Sequence, residues 1–118
     1  MDATVGSSAA GASAGGRIQV NIGPAGEVIP VGTLDIGNAR LLHAALADAK
    51  ADPALVVDLR RVRYLDSAAV TVLFAHAHKP LRILVRAGSA VAQVVEICGL
   101  SRVAQVELPA AVDPTQQV

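Results

Sequence analysis

The chain has 118 residues, just over half of them apolar, with ten basic and ten acidic side chains and a net charge of zero. That suffices for one domain with a real core, is too short for two ordinary ones, and supplies no basic excess of the kind that marks a nucleic-acid binder. No apolar run approaches the ~20 residues of a membrane span, no basic-then-apolar leader opens the chain, and one cysteine excludes an internal disulfide, all of which fits a cytoplasmic protein.

With one Phe, one Tyr and no Trp, the core has to be filled by Val, Leu, Ile and Ala. Residues 1–16 are small and nearly free of apolar bulk, and they read as a disordered tail. Residues 17–22 alternate, with Ile18, Val20 and Ile22 on one side, and predict a strand with one buried face. Gly23-Pro24-Ala25-Gly26 is a turn, and residues 27–34 resume an extended pattern with Val28, Ile29, Val31 and Leu34 apolar, so the two runs make a hairpin. Pro30 lacks a ladder donor and demands either an outward-facing nitrogen or a bulge.

Asp35-Ile36-Gly37-Asn38 ends the hairpin and opens a helix over 39–50, with Asn38 as its cap and Leu42, Ala45, Leu46 and Ala49 on its buried stripe. After the break at Asp52-Pro53, residues 55–59 form an apolar strand buried on both faces. A helix over 69–78 follows, lined by Val70, Leu73, Phe74 and Ala77 and opened by Asp66 and Ser67, whose side-chain oxygens suit the free N–H groups of a first turn. Lys79-Pro80 breaks it. A strand over 81–85 comes next. Gly88-Ser89 opens a third helix carrying Val91, Val94, Val95 and Cys98 on one face, which Gly99 closes in the left-handed conformation. Residues 101–108 predict a turn and a short edge strand, and 109–118 a disordered tail. The order implies one α/β domain over residues 17–108, a mixed but mostly parallel sheet of four to five strands with an antiparallel edge, and about three to four helices.

Chemistry concentrates between the 55–59 strand and the 69–78 helix. Ser67 stands at the positive end of a helix, where a phosphate is electrostatically well placed. A nucleophilic role is disfavoured: the G-x-S-x-G elbow is absent and no histidine has a recognisable spacing to Ser67. His76 and His78 do not share a helical face and read as two surface histidines rather than a metal pair. Cys98 reads as a core residue, Asp58 as a structural acid paired near a strand end, and Arg60, Arg61 and Arg63 as a solvated basic run able to help hold a phosphate or an acidic partner.

Residues 27–108 resemble a STAS domain, the module shared by sulfate-transporter tails and bacterial anti-sigma-factor antagonists. Gly32-Thr33-Leu34-Asp35 resembles the family's G-x-L-D. Val56-Val57-Asp58-Leu59, then Val62, then Leu65-Asp66-Ser67 resembles its V-V-D-L-x-x-V-x-x-[IL]-D-S, the most specific of the segments. Leu81-Arg82-Ile83-Leu84-Val85 and Glu96-Ile97-Cys98-Gly99-Leu100 resemble its closing strand and helix. In the antagonist branch, the serine after the aspartate is phosphorylated by an anti-sigma factor that is itself a kinase, and the unphosphorylated form binds that factor and frees a sigma factor. The resemblance implies that Ser67 is the phosphorylated residue and that Asp35, Asp66, Ser67, Ala68 and Ala69 form the partner-binding face. It implies a binding protein in transcription or stress regulation that is not an enzyme, needs no cofactor or metal and touches no nucleic acid directly. A STAS scaffold or ligand-binding module in stress or transport regulation, without phosphorylation, is the alternative. The chain departs from the family where it usually reads D-S-[ST]-G-L-G: Ala69 and Thr71 replace the glycines and are expected to restrict a partner's approach. Thr33 replaces the usual acid of G-E-L-D, and the loop at Lys79-Pro80 is shorter than the family's.

Overall fold

The computed structural model describes residues 18–51 and 53–109. The tails expected at 1–16 and 109–118 lie, except for Pro109, outside the described residues.

Among the described residues six strands and three helices follow in the order β1 (Ile18–Ile22), β2 (Val28–Leu34), α1 (Ala39–Asp48), β3 (Leu55–Asp58), β4 (Val62–Leu65), α2 (Ser67–Ala75), β5 (Leu81–Leu84), α3 (Ala90–Ile97), a 3-10 turn at Leu100–Arg102, and β6 (Gln105–Glu107). They form one sheet in the order β1-β2-β3-β5-β6, with β4 continuing the β3 side of β2. The β1–β2 hairpin is antiparallel and every other pairing is parallel. The α/β class, the mixed sheet and its antiparallel edge are therefore as the sequence implies.

The strand count exceeds the expected four to five because residues 62–65 pair with β2. Their buried members, Val62 and Leu65, are separated by two exposed residues, so no period-2 alternation marks the strand. Its register against β2 also shifts between Gly32 and Thr33.

Pro30 explains how β2 serves two neighbours. The N–H of Gly32 donates to the Arg61 carbonyl at 3.2 Å, which shows that even-numbered residues of β2 turn their backbone toward β3 and β4. Pro30 shares that parity. Its nitrogen faces the stretch after Asp58 and before Val62, where β3 has ended and β4 has not begun, so the missing donor costs no ladder bond.

One core holds the fold together. Val28, Leu34, Leu55, Val57, Leu59, Leu81, Ile83 and Val85 meet Leu42 and Leu46 of α1, Ala69, Val70 and Leu73 of α2, and Val91 and Val95 of α3. All three helices therefore share one face of the sheet. The α1 and α3 stripes are those expected. On α2 the stripe is rotated: Ala69 is fully buried and His76 is buried, whereas Phe74 is 39% exposed. Ala69, Leu73 and His76 follow one another at i, i+4 and i+7, which makes them the true inner face. Two expectations are corrected here: His76 is not a surface histidine, and Phe74 is not a core residue. Gly99 takes the left-handed conformation expected after α3, with φ 84°.

Candidate functional site

The parallel strands β2 and β4 both end, by their carboxyl termini, at the loops that head α1 and α2. In open α/β sheets this is where ligands and partners gather. The backbone N–H of Asp66 donates to the Leu34 carbonyl at 3.1 Å, closing the ladder between the two strands. Immediately beyond, the Asp66 carboxylate divides its work. Oδ1 accepts from the N–H groups of Ala68 and Ala69 at 2.9 and 3.2 Å, and Oδ2 accepts from the N–H of Ile36 at 3.1 Å. Asp66 is thus the N-cap of α2 and also ties the loop preceding α1 to it.

That loop is organised from within. Asp35 Oδ1 accepts from the N–H of Gly37 at 2.9 Å. Asn38, expected as the cap of α1, makes no side-chain cap bond. It is buried and turns backward instead: its Oδ1 accepts from the Asp35 N–H at 3.0 Å and its Nδ2 donates to the Thr33 carbonyl at 2.8 Å. The amide thus satisfies one backbone donor and one backbone acceptor at the end of β2.

Ser67 is the first residue of α2 and is exposed, with Ala68 half-buried beside it. Asp35 is held beside Asp66 because its two chain neighbours bond to that residue: the Leu34 carbonyl accepts from the Asp66 N–H, and the Ile36 N–H donates to the Asp66 carboxylate. Ala69 does not join this surface: its methyl lies wholly in the core. The methyl that replaces the family's glycine at that position therefore fills the interior rather than standing on the surface beside Ser67. Thr71 is exposed, and its hydroxyl donates to the Ser67 carbonyl at 2.8 Å, folding onto the helix. Ile36, not singled out from the sequence, is 82% exposed at the tip of the loop held by Asp66.

The electrostatics of this end differ from the sequence expectation. The first-turn N–H groups of Ala68 and Ala69 are already taken by the Asp66 carboxylate, so a charge added at Ser67 meets a resident anion. The basic run is only partly available. Arg60 donates Nε and a terminal nitrogen to Asp58 at 2.9 Å each, and its backbone N–H adds a third bond to the same carboxylate at 3.0 Å. Burial works to raise the pKa of Asp58, but the side-chain and backbone hydrogen bonds from Arg60, with the charges of Arg60 and Arg61, hold it below the usual value. Asp58 is thus the structural acid the sequence suggested. Of the histidines, His76 lies nine residues along the chain from Ser67, about 13 Å at helical rise.

The sequence matches the family described as "Mlab, STAS domain" over residues 9–108. The chain belongs to the STAS family. Its fold is similar to that of an anti-sigma factor antagonist from Mycobacterium paratuberculosis, at 23% identity over 88% of this chain and 94% of that one, with a TM-score of 0.60. It is also similar to a protein from Thermotoga maritima described as a putative anti-sigma factor antagonist, at 18% identity over 75% and 84% of the two chains, TM-score 0.57. The unphosphorylated form of the antagonist SpoIIAA matches at 16% identity over 86% and 92%, TM-score 0.50. The comparison with curated proteins gives no match. In this STAS domain no helix of the described residues is long and apolar enough to cross a membrane.

Proposed function

We propose that this STAS domain is a cytoplasmic anti-sigma factor antagonist: it binds an anti-sigma factor with serine kinase activity, releases a sigma factor, and is switched off by phosphorylation at Ser67. It acts by binding, not by catalysis. The observation that carries the reading is the exposed Ser67 at the head of α2, sharing one stapled surface with the exposed Ile36 and with Asp35, Asp66 and Ala68. A partner that covers Ile36 also covers Ser67. A phosphate there adds roughly −1.5 to −2 charges next to the Asp66 carboxylate, whose partner amides are already engaged. Packing a protein over that dianion would require its desolvation, so one modification turns the face off.

The test is a pull-down from the host with ATPase-type anti-sigma factors, followed by intact-mass measurement. Binding by wild type and Ser67→Ala, a gain of one phosphoryl group on wild type alone, and lost binding in Ser67→Asp are expected. No binding of any such kinase by either form would overturn the reading.

A second reading, a STAS scaffold or ligand-binding module without phosphorylation, is favoured by the occupied helix terminus, which leaves a phosphate no help from the Ala68 and Ala69 amides. Its mark is partner binding that is unchanged in Ser67→Asp.

A further inference from the structure

The outer edge of β1 is open among the described residues: no strand pairs with it. Sheet edges are ordinarily blunted by charge, proline, a bulge or brevity. The opposite edge, β6, is only three residues long and contains Glu107, clamped by Arg82 at 2.7 and 2.9 Å. β1 has none of these devices: it is five residues, Ile18-Gln19-Val20-Asn21-Ile22, without charge, proline or glycine.

The direction of its free backbone groups follows from the register. Ile18, Val20 and Ile22 lie opposite Gly32, Pro30 and Val28. Gly32 turns its N–H away from β1, toward Arg61, and Pro30 has no N–H to offer β1. These are therefore pairs of the non-hydrogen-bonded kind, and Ile18, Val20 and Ile22 direct their N–H and C=O groups outward.

We infer that β1 is an interface for a second copy of this chain, joined antiparallel to its own equivalent about a two-fold axis at Val20. The strand is self-complementary in the register that axis imposes. Ile18 meets Ile22 of the second copy, Gln19 meets Asn21, and Val20 meets Val20. Every outward-facing residue of one strand then opposes an outward-facing residue of the other, which gives about six N–H···O=C bonds. The intervening amides fall into close, non-hydrogen-bonded pairs on the face away from the helices. Within one chain Gln19 Nε2 already donates to Asn21 Oδ1 at 3.2 Å; across the axis the same two groups face each other twice. Ile22, 59% exposed in the single chain, is covered by Ile18 of the second copy on the helix side. A single six-stranded sheet becomes one continuous sheet of twice that width, an isologous contact that closes on itself. A strand of another protein would need to match the same alternation, whereas a second copy matches it by construction.

The test is the mass of the full chain in solution, by sedimentation or light scattering over a concentration series. Wild type is expected to reach twice the monomer mass. Gln19→Lys with Asn21→Lys sets like charges opposite each other at both non-hydrogen-bonded pairs and is expected to give monomer. Gln19→Lys with Asn21→Glu sets opposite charges there and is expected to keep the dimer. Both side chains are exposed, so unchanged thermal melting of the monomer confirms that only the contact has been lost. Wild type that stays monomeric at every soluble concentration, a lysine pair that stays dimeric, or a Lys/Glu pair that does not dimerise would each overturn the inference.

Discussion

The Asp66 carboxylate and the Ile36 amide, thirty residues apart in sequence, meet at 3.1 Å. The same side chain caps α2 through Ala68 and Ala69, so one residue sets both the helix start and the loop beside it. Asp66→Ala is expected to cost about 2 kcal/mol, the sum of a lost cap and a lost charged hydrogen bond. Asp66→Asn keeps a carbonyl oxygen for the cap but cannot accept from Ile36 with the other atom, and it should lose about half as much. Urea unfolding of the two variants separates the contributions, and equal losses would mean that the Ile36 bond contributes little.

Ile36→Asp tests the contact surface without touching the core. The side chain is 82% exposed, so stability should change by less than about 0.5 kcal/mol. Affinity for the anti-sigma partner should fall at least about tenfold, which is about 1.4 kcal/mol. Full affinity in this variant would place the partner elsewhere on the domain.

His76 makes stability depend on pH. It is buried between α1 and α2, with its Nε2 3.0 Å from Nδ1 of His43. Burial and the charges of His43, His78 and Lys79 lower its pKa below the ordinary 6.5. A lowered histidine pKa means the unfolded chain takes up the proton first. Stability is therefore full above about pH 6.5 and declines as pH falls through the folded value. Unfolding free energies between about pH 7.5 and 5.5 should fall for wild type and stay flatter for His76→Leu. A parallel decline in both would assign the effect to other groups.

Asp58 should behave as a structural acid. Asp58→Ala removes three hydrogen bonds at the end of β3 and frees an arginine that is already 44% exposed. Because that arginine can be solvated, the expected loss is about 1–2 kcal/mol rather than the larger penalty of a stranded buried charge. Partner binding, measured on the folded variant, should be unaffected; a loss there would move Asp58 into the contact face.

Local pattern made much of this legible. Alternation in 18–22, helical stripes at Leu42 and Leu46 and at Val91 and Val95, and the glycine after α3 all correspond to real elements because each is set by near neighbours. The position of Ser67 at a helix start was legible for the same reason. What escaped depended on partners far along the chain. β4 exists because β2 is there to pair with it, and its own burial pattern lacks a strand's period. The His43–His76 contact spans thirty-three residues. Asn38 looked like a cap because its type and place fit one, but its Oδ1 is taken by the Asp35 N–H and its Nδ2 by the Thr33 carbonyl. The burial of Ala69 was recoverable from its i, i+4 relation to Leu73, had the stripe been drawn one residue earlier.

Pro30, at the point where β2 passes from β3 to β4, also acts as a registration mark. Slide β2 by two residues against its neighbours and the ring nitrogen would face a ladder position that demands an N–H. The alternative pairing would then forfeit a bond that the native one never needed. In a sheet whose strands are mostly valine, leucine and isoleucine, and so offer little to tell one register from the next, a single residue that fits only at the gap gives the chain a reason to stop sliding there.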